Sequence, residues 1–151
     1  GWVYAGKYSE QIQHLQLMST ISANTLIQNA LVEFVSSHHY EKHLRLLRRR
    51  LEKNKKRFTQ YLKQHLGQCC EIYSFSGGYF IWIKLPLYLN SLELYHQLIT
   101  QQIGVAPSAL FNVLENNQHA IRLNCSFEWS PSIQTGLDTL IDSILNIQIQ
   151  S

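Results

Sequence analysis

Residues 69–85 read CCEIYSFSGGYFIWIKL, and in this stretch the pattern of the chain changes from helical to extended. CCEIYSF and YFIWIKL are rich in β-branched and aromatic residues, and the SGG between them is typical of a turn. The second segment ends before Pro86, which cannot donate to a strand ladder. The stretch therefore predicts two strands joined by a turn.

Upstream of these strands, apolar residues recur at helical spacing. A first helix is predicted from Ser9 and a second from Ser22 or Asn24, each of which suits an N-cap. Over residues 40–66 the apolar positions recur at steps of three or four, with one missed position at Asn54, and this predicts an amphipathic helix of about 25 residues. Gly67 is placed to end it.

Downstream, the chain alternates between strand and helix. The pattern predicts a helix at 89–102, a short strand with a Pro-containing turn at 103–108, a strand at 120–126 and a closing helix capped by Ser130. The order is helix, helix, long helix, then β-β-α-β-β-α. This order predicts an α/β fold of the two-layer α+β type, in which helices cover a small mixed or antiparallel sheet.

The positive charge is concentrated on the long helix. Of 13 Lys and Arg residues in the 151-residue chain, ten lie between Lys42 and Lys63, interleaved with leucines. This spacing favours a solvated helix face on which the central lysines are exposed. A nucleic-acid-binding module using residues 42–63 is a less favoured alternative, because the helix has no aromatic platforms for single strands and no evident turn-helix partner.

The remaining bulk features exclude several classes of protein. The three cysteines include the adjacent pair Cys69 and Cys70, which suits neither a disulfide framework nor a metal site. No apolar run approaches the roughly 20 residues that span a bilayer, so we expect a cytoplasmic protein without membrane contact. The chain starts without Met and directly with a strand-like segment, WVYA, so we expect a piece of a longer protein.

Arg122 stands alone in the apolar segment AIRLNCS (120–126). A guanidinium in a buried strand is costly unless it is paired and hydrogen-bonded. One interpretation is a structural ion pair with Glu128, Asp138 or Asp142. The other is a pocket in which the planar fork of Arg122 binds an external carboxylate.

The glycine pair at Gly77 and Gly78 is open to two interpretations as well. Taken alone, it favours a tight turn between the two predicted strands. The missing side chains would also let a ligand approach the backbone closely.

Several segments, in this order, resemble a known family. GGYFIWIKLP (77–86), GVAPSALF (104–111) and AIRLNCSFEWSPSIQTGLDTL (120–140) are similar to the C-terminal part of fold-type I pyridoxal-phosphate aminotransferases. More narrowly, they resemble the aminotransferase-like half of MocR-type regulators of the GntR family. NALVEFVSSHHYEKHLRLLRRRL (29–51) resembles the start of the family's interdomain helix, and GWVYAG (1–6) resembles the strand that follows its cofactor lysine. Ser108 departs from the pattern, which usually has Gly there.

The resemblance implies a division of the chain. Residues 1–38 would be the C-terminal remnant of the large cofactor-binding domain, and their helices would expose apolar surface when that domain is absent. Residues 39–151 would be the small aminotransferase domain.

The resemblance also implies a role for individual residues. Arg122 would bind the α-carboxylate of an amino acid or a related small carboxylate, and Gly77, Gly78 and Tyr79 would line the same pocket. No catalytic residue, no cofactor-binding residue and no metal ligand is predicted within the chain. Pyridoxal phosphate is expected in the intact protein and not stably on this chain alone.

At the level of the whole protein, the resemblance implies a dimeric regulator that binds DNA through an N-terminal winged helix. The aminotransferase-like part would contribute amino acid effector binding. The alternative is a genuine amino acid aminotransferase, so whether the intact protein is an enzyme stays open at this point.

Overall fold

The computed structural model describes residues 3–20, 23–111 and 118–146. Its regular elements, in chain order, are α1 (Ser9–Thr20), α2 (Thr25–Val35), α3 (His38–Leu66), β1 (Glu71–Tyr73), β2 (Phe80–Lys84), α4 (Ser91–Thr100), β3 (Ala106–Pro107), β4 (Ala120–Asn124) and α5 (Pro131–Asn146). The chain divides into two compact units, one up to Arg45 and one from Leu46 onward. The boundary predicted between residues 38 and 39 falls at the start of α3 and stays a prediction.

The N-terminal unit begins differently from the sequence-based prediction. Residues 3–5 form no strand, and a short 3-10 helix follows at Gly6–Tyr8. The predicted strand WVYA is therefore wrong over its described residues, because β-prone side chains form a strand only where a neighbouring strand takes up the backbone hydrogen bonds. Trp2 lies outside the described residues.

The two short helices start at the predicted places, but Ser9 does not cap α1: it is the first residue of the helix, and its hydroxyl donates to the carbonyl oxygen of Gly6 at 2.7 Å. The side chain of Asn24 accepts hydrogen bonds from the backbone N–H groups of Leu26 (3.0 Å) and Ile27 (3.3 Å), so Asn24 is the N-cap of α2. The alternative, Ser22, lies outside the described residues. Neither helix buries a side chain, and Leu26 is 80% exposed. The expected exposed apolar surface is confirmed.

Helix α3 ends where the sequence predicts. The backbone N–H of Gly67 donates to the carbonyl oxygen of Lys63 at 3.1 Å. A Cβ atom at Gly67 would stand 2.4 Å from that oxygen, so a side chain at this position would force the chain to shift. The glycine therefore permits the turn that leads from α3 into the sheet.

The sheet is antiparallel, with the strand order β1-β2-β4-β3. In β2 and β4, Ile81 lies opposite Leu123 and Ile83 lies opposite Ile121, and all four side chains are buried. Because side chains alternate along a strand, Arg122 lies on the other face. Of the two sheet types predicted, the antiparallel one is confirmed.

Helices α3, α4 and α5 cover the buried face of the sheet and form one core with it. Their fully or nearly fully buried apolar residues are Phe58, Leu62, Leu66, Leu94, Leu98, Leu137, Leu140, Ile141 and Ile144. Asn90 caps α4 by accepting from the backbone N–H groups of Leu92 and Glu93, and Ser130 caps α5 by accepting from that of Ile133. This arrangement confirms the predicted two-layer α/β fold. None of the described helices is both long and apolar enough to cross a membrane.

Candidate carboxylate-binding site

Arg122 lies in the middle of the sheet, on the face opposite the helical core. It is directly across from Trp82 in β2 and from Ala106 in β3. Its side chain is half-buried. The guanidinium is therefore presented by a strand that is paired on both sides.

Two phenylalanines hold the guanidinium of Arg122 in place. Its central carbon lies 4.1 Å from the ring centroid of Phe80 and 4.3 Å from that of Phe111. Both distances are well inside the roughly 6 Å within which a cation is attracted by an aromatic face. Trp82 packs edge-on against Phe111, with ring centroids 5.8 Å apart. The aromatic side chains fix the position of the guanidinium without using its N–H donors.

The N–H donors of Arg122 are left for another partner. Its Nε atom is buried and makes no hydrogen bond to the residues that the structure describes. No ion pair joins Arg122 to Glu128, Asp138 or Asp142, all of which are described. The structural ion pair considered from the sequence is therefore wrong for each of its three candidate acids.

Asp138 has a different partner. Its carboxylate accepts a hydrogen bond from the hydroxyl of Tyr61, and this hydrogen bond raises the pKa of Tyr61 above its usual value. The ring of Tyr61 packs in turn against Trp129, with centroids 5.0 Å apart. The acid thus helps to fasten α5 to α3.

Gly77 and Gly78 lie in the connection between β1 and β2. Their φ angles are +76° and +62°, a region that L-residues with a side chain rarely adopt, and no atom lies within 4 Å of a Cβ built on either. The chain does reverse direction here, but the connection is a loop of six residues (74–79) and not the tight turn that the sequence predicts. Tyr79 packs against Phe80 with ring centroids 4.5 Å apart, and its carbonyl oxygen accepts from the N–H of Cys125 at 2.7 Å. That these three residues line the pocket of Arg122 stays a prediction.

Lys55 corrects one prediction about the long helix. The central lysines were expected on the exposed face, but Lys55 is only 7% exposed. Its ammonium group donates to the carbonyl oxygens of Phe75 (2.6 Å) and Gly77 (2.5 Å), which lie in the loop before β2. The neighbouring Asn54 is also buried and donates to the carbonyl oxygen of Ser126 at 3.3 Å, in the segment after β4.

Ser108, the departure from the family pattern, has a structural place. It is buried directly after β3, and its hydroxyl lies 3.2 Å from the hydroxyl of Ser91 at the start of α4. The hydroxyl pair connects the end of β3 to this helix. Serine is thus accommodated at this turn.

Two of the three cysteines, Cys70 and Cys125, are buried. Cys69, Cys70 and Cys125 are free thiols. Burial raises the pKa of Cys70 and of Cys125 to about 12, since the thiolate is disfavoured in apolar surroundings. No group of three or more potential metal ligands is present among the described residues.

Sequence reasoning missed Phe80, Phe111 and Lys55. Phe80 lies on the face of the sheet that carries Arg122 because of the register between β2 and β4, and the sequence does not give this register. The position of Lys55, four residues after Leu51 and three before Phe58, indicates the buried stripe of α3, but the charge of a lysine predicts exposure. No sequence signal connects Phe111 with Arg122.

Comparison with known proteins supports the same fold. No family model matches the chain. A relative among curated proteins is YdcR of Escherichia coli K12, an uncharacterized HTH-type transcriptional regulator. It is 41% identical over 129 residues, which cover 85% of this chain and 28% of YdcR. YjiR, a second such regulator of the same organism, is 25% identical over 146 residues, covering 95% of this chain and 31% of YjiR. The chain thus spans about three tenths of the length of these relatives.

The solved structures that resemble the chain are aminotransferases. The multiple substrate aminotransferase of Thermococcus profundus superposes with a TM-score of 0.82 at 15% identity, covering 94% of this chain and 35% of the enzyme. LysN, the α-aminoadipate aminotransferase of Thermus thermophilus, superposes with a TM-score of 0.81 at 16% identity, covering 94% of this chain and 37% of LysN.

The fold is therefore that of the C-terminal part of an aminotransferase. The sequence relatives are HTH-type regulators, and they confirm the predicted resemblance to the aminotransferase-like domain of MocR-type regulators.

Proposed function

We propose that this chain is the C-terminal aminotransferase-like domain of a pyridoxal-phosphate-dependent transcriptional regulator, in which Arg122 binds the carboxylate of an amino acid effector. The observation that carries the proposal is the state of the guanidinium. It is held between Phe80 and Phe111, and its buried Nε atom has no partner among the described residues.

The chemistry of Arg122 suits a carboxylate. The Nε–H and one terminal N–H of a guanidinium form a planar fork that matches the two oxygens of a carboxylate. Because Phe80 and Phe111 already restrict the side chain, binding would lose less conformational entropy than it would at a free surface arginine. A carboxylate would also satisfy the buried Nε–H, which otherwise costs free energy.

We infer that pyridoxal phosphate is held mainly by parts of the intact protein beyond this chain. When bound to the intact protein, the cofactor supplies the aldehyde that reacts with amino groups. In this chain the ammonium group of Lys55 donates to two carbonyl oxygens, and that of Lys84 pairs with Glu71 at 2.7 Å. We therefore propose that this chain binds the carboxylate group of the effector.

The regulator would act as a whole through parts beyond this chain. The relatives are named HTH-type regulators, and this chain covers only 28–31% of the two described above. We infer that the intact protein binds DNA through an N-terminal domain and forms a homodimer.

A genuine amino acid aminotransferase is the second candidate, favoured by the superposition on two such enzymes. An HTH sequence upstream of this segment in the gene would favour the regulator, and its absence would favour the enzyme.

Calorimetry on the longer protein tests the proposal. Arg122→Ala should weaken amino acid binding strongly and leave pyridoxal phosphate binding nearly unchanged. The matched control is Arg57→Ala, because the guanidinium of Arg57 also lies over an aromatic ring, 4.6 Å from the centroid of Trp129. An amino acid affinity that is unchanged in Arg122→Ala, or equally reduced in Arg57→Ala, would contradict the assignment.

A further inference from the structure

A second concave surface lies between α3 and the loop that precedes β2. This groove has a volume of about 770 Å³, and Arg122 does not line it. The helix contributes Arg48, Lys55, Lys56 and Lys63, and the loop contributes residues 74–78. We call it the α3 groove.

The α3 groove is strongly cationic. Four positive side chains and one negative side chain, Glu52, line it, which leaves three positive charges in excess. None of the four cations forms an ion pair with a described carboxylate. Since a helix rises 1.5 Å per residue, the cations from Arg48 to Lys63 extend over about 22 Å.

Lys55 gives the α3 groove a fixed charge at its base. The side chain is only 7% exposed, and its two hydrogen bonds go to neutral carbonyl oxygens. An ammonium group has three donors, so one donor remains after these two bonds. Neutral carbonyl oxygens do not neutralise the positive charge of a buried ammonium group. An anion in the groove would supply the missing negative charge.

The loop side of the α3 groove offers further donors. The backbone N–H groups of Ser76, Gly77 and Gly78 make no hydrogen bond to any described residue. Both glycines have positive φ angles, and the space beside them is open. Successive free N–H groups in such a turn form a concavity that suits an anion.

We propose that the α3 groove binds a small molecule that carries two or more linked phosphate groups, of the size of a nucleoside diphosphate. Several cations along about 22 Å, a recessed lysine and free backbone N–H groups match an extended oligophosphate better than a single carboxylate. We favour such a small ligand over a nucleic acid duplex, because Lys55 is only 7% exposed.

Titration calorimetry with pyrophosphate at low ionic strength tests this site on the chain itself. The groove variant carries Arg48→Gln, Lys56→Gln and Lys63→Gln, all at exposed positions. The control variant carries Arg49→Gln, Arg50→Gln and Lys53→Gln, which remove the same charge from the same helix outside the groove.

We expect the groove variant to bind pyrophosphate about tenfold more weakly or worse, and the control to stay within about threefold of the wild type. Equal weakening in both variants would show a general electrostatic field and overturn the site. Absence of pyrophosphate binding to the wild type would overturn it too. Tighter binding of a DNA duplex than of pyrophosphate, with the duplex binding weakened in the groove variant, would overturn the proposal and assign these cations to nucleic acid.

An NMR titration provides a readout that needs no variant. Pyrophosphate should shift the amide signals of Ser76, Gly77 and Gly78 saturably, and acetate at equal concentration should not. Equal shifts with both anions, or no shift with pyrophosphate, would contradict the proposal.

Discussion

Replacing Lys55 with methionine tests whether the buried ammonium group holds the loop before β2. Methionine keeps the unbranched apolar stem but removes the charge and both hydrogen bonds to Phe75 and Gly77. These bonds join α3 to a segment 20 and 22 residues further along the chain. We expect Lys55→Met to lower the free energy of unfolding and to loosen this loop.

Two opposing contributions determine how much the free energy of unfolding falls in Lys55→Met. A hydrogen bond from a charged donor contributes roughly 1.5–3 kcal/mol. Against this, methionine avoids the cost of burying a charge. The freed carbonyl oxygens belong to Phe75 and Gly77, which are exposed, so water can replace part of what they lose. The net loss should be about 1–3 kcal/mol.

Urea unfolding followed by circular dichroism measures this loss. Lys56→Met is the matched control, since Lys56 is the next residue on the same helix and is exposed. We expect the control to stay within about 0.5 kcal/mol of the wild type. If the two variants are equally stable, the hydrogen bonds of Lys55 do not hold the loop. Hydrogen exchange at residues 74–78 should be faster in Lys55→Met alone.

Three further predictions concern the core, the pH dependence and the exposed helices. Leu62→Ala, at a fully buried position, should cost about 2–5 kcal/mol of stability, whereas Leu46→Ala, at a 57% exposed position, should stay within about 0.5 kcal/mol in the same urea assay. Because folding raises the pKa of Cys125 to about 12, the protonated thiol favours the folded state, and stability should fall as pH rises above the roughly 8.5 of a free thiol. In Cys125→Ala, the free energy of unfolding measured at increasing pH should fall less steeply than in the wild type. An equally steep fall in the variant would show that other groups cause it. The chain should self-associate through the exposed apolar side chains of α1 and α2, and Leu26→Lys should reduce association in sedimentation velocity; an unchanged distribution would exclude that face.

The elements that the sequence predicts correctly are those whose pattern is local. The stripe of α3, the caps Asn24, Asn90 and Ser130, and the strand at Ala120–Asn124 all follow from spacing and side-chain chemistry within one segment. Each is decided by neighbours in the chain, which is why it can be read without the fold.

The features that sequence reasoning missed depend on distant contacts. Lys55 is buried because carbonyl oxygens from the loop before β2 reach it, and the charge of a lysine usually predicts the opposite. Phe111 lies over Arg122 because the strand order brings β3 beside β4. The residues WVYA are β-prone, but propensity alone does not supply a neighbouring strand.

The most direct test of carboxylate binding is the NMR signal of the Arg122 Nε–H group, which is buried and has no partner among the described residues. Arg122→Lys removes the signal and so assigns it. We predict that L-alanine shifts this signal saturably and that the signal of Arg57 stays in place. A signal from Arg122 that does not move at saturating L-alanine, or that moves together with that of Arg57, would contradict the proposed role of Arg122.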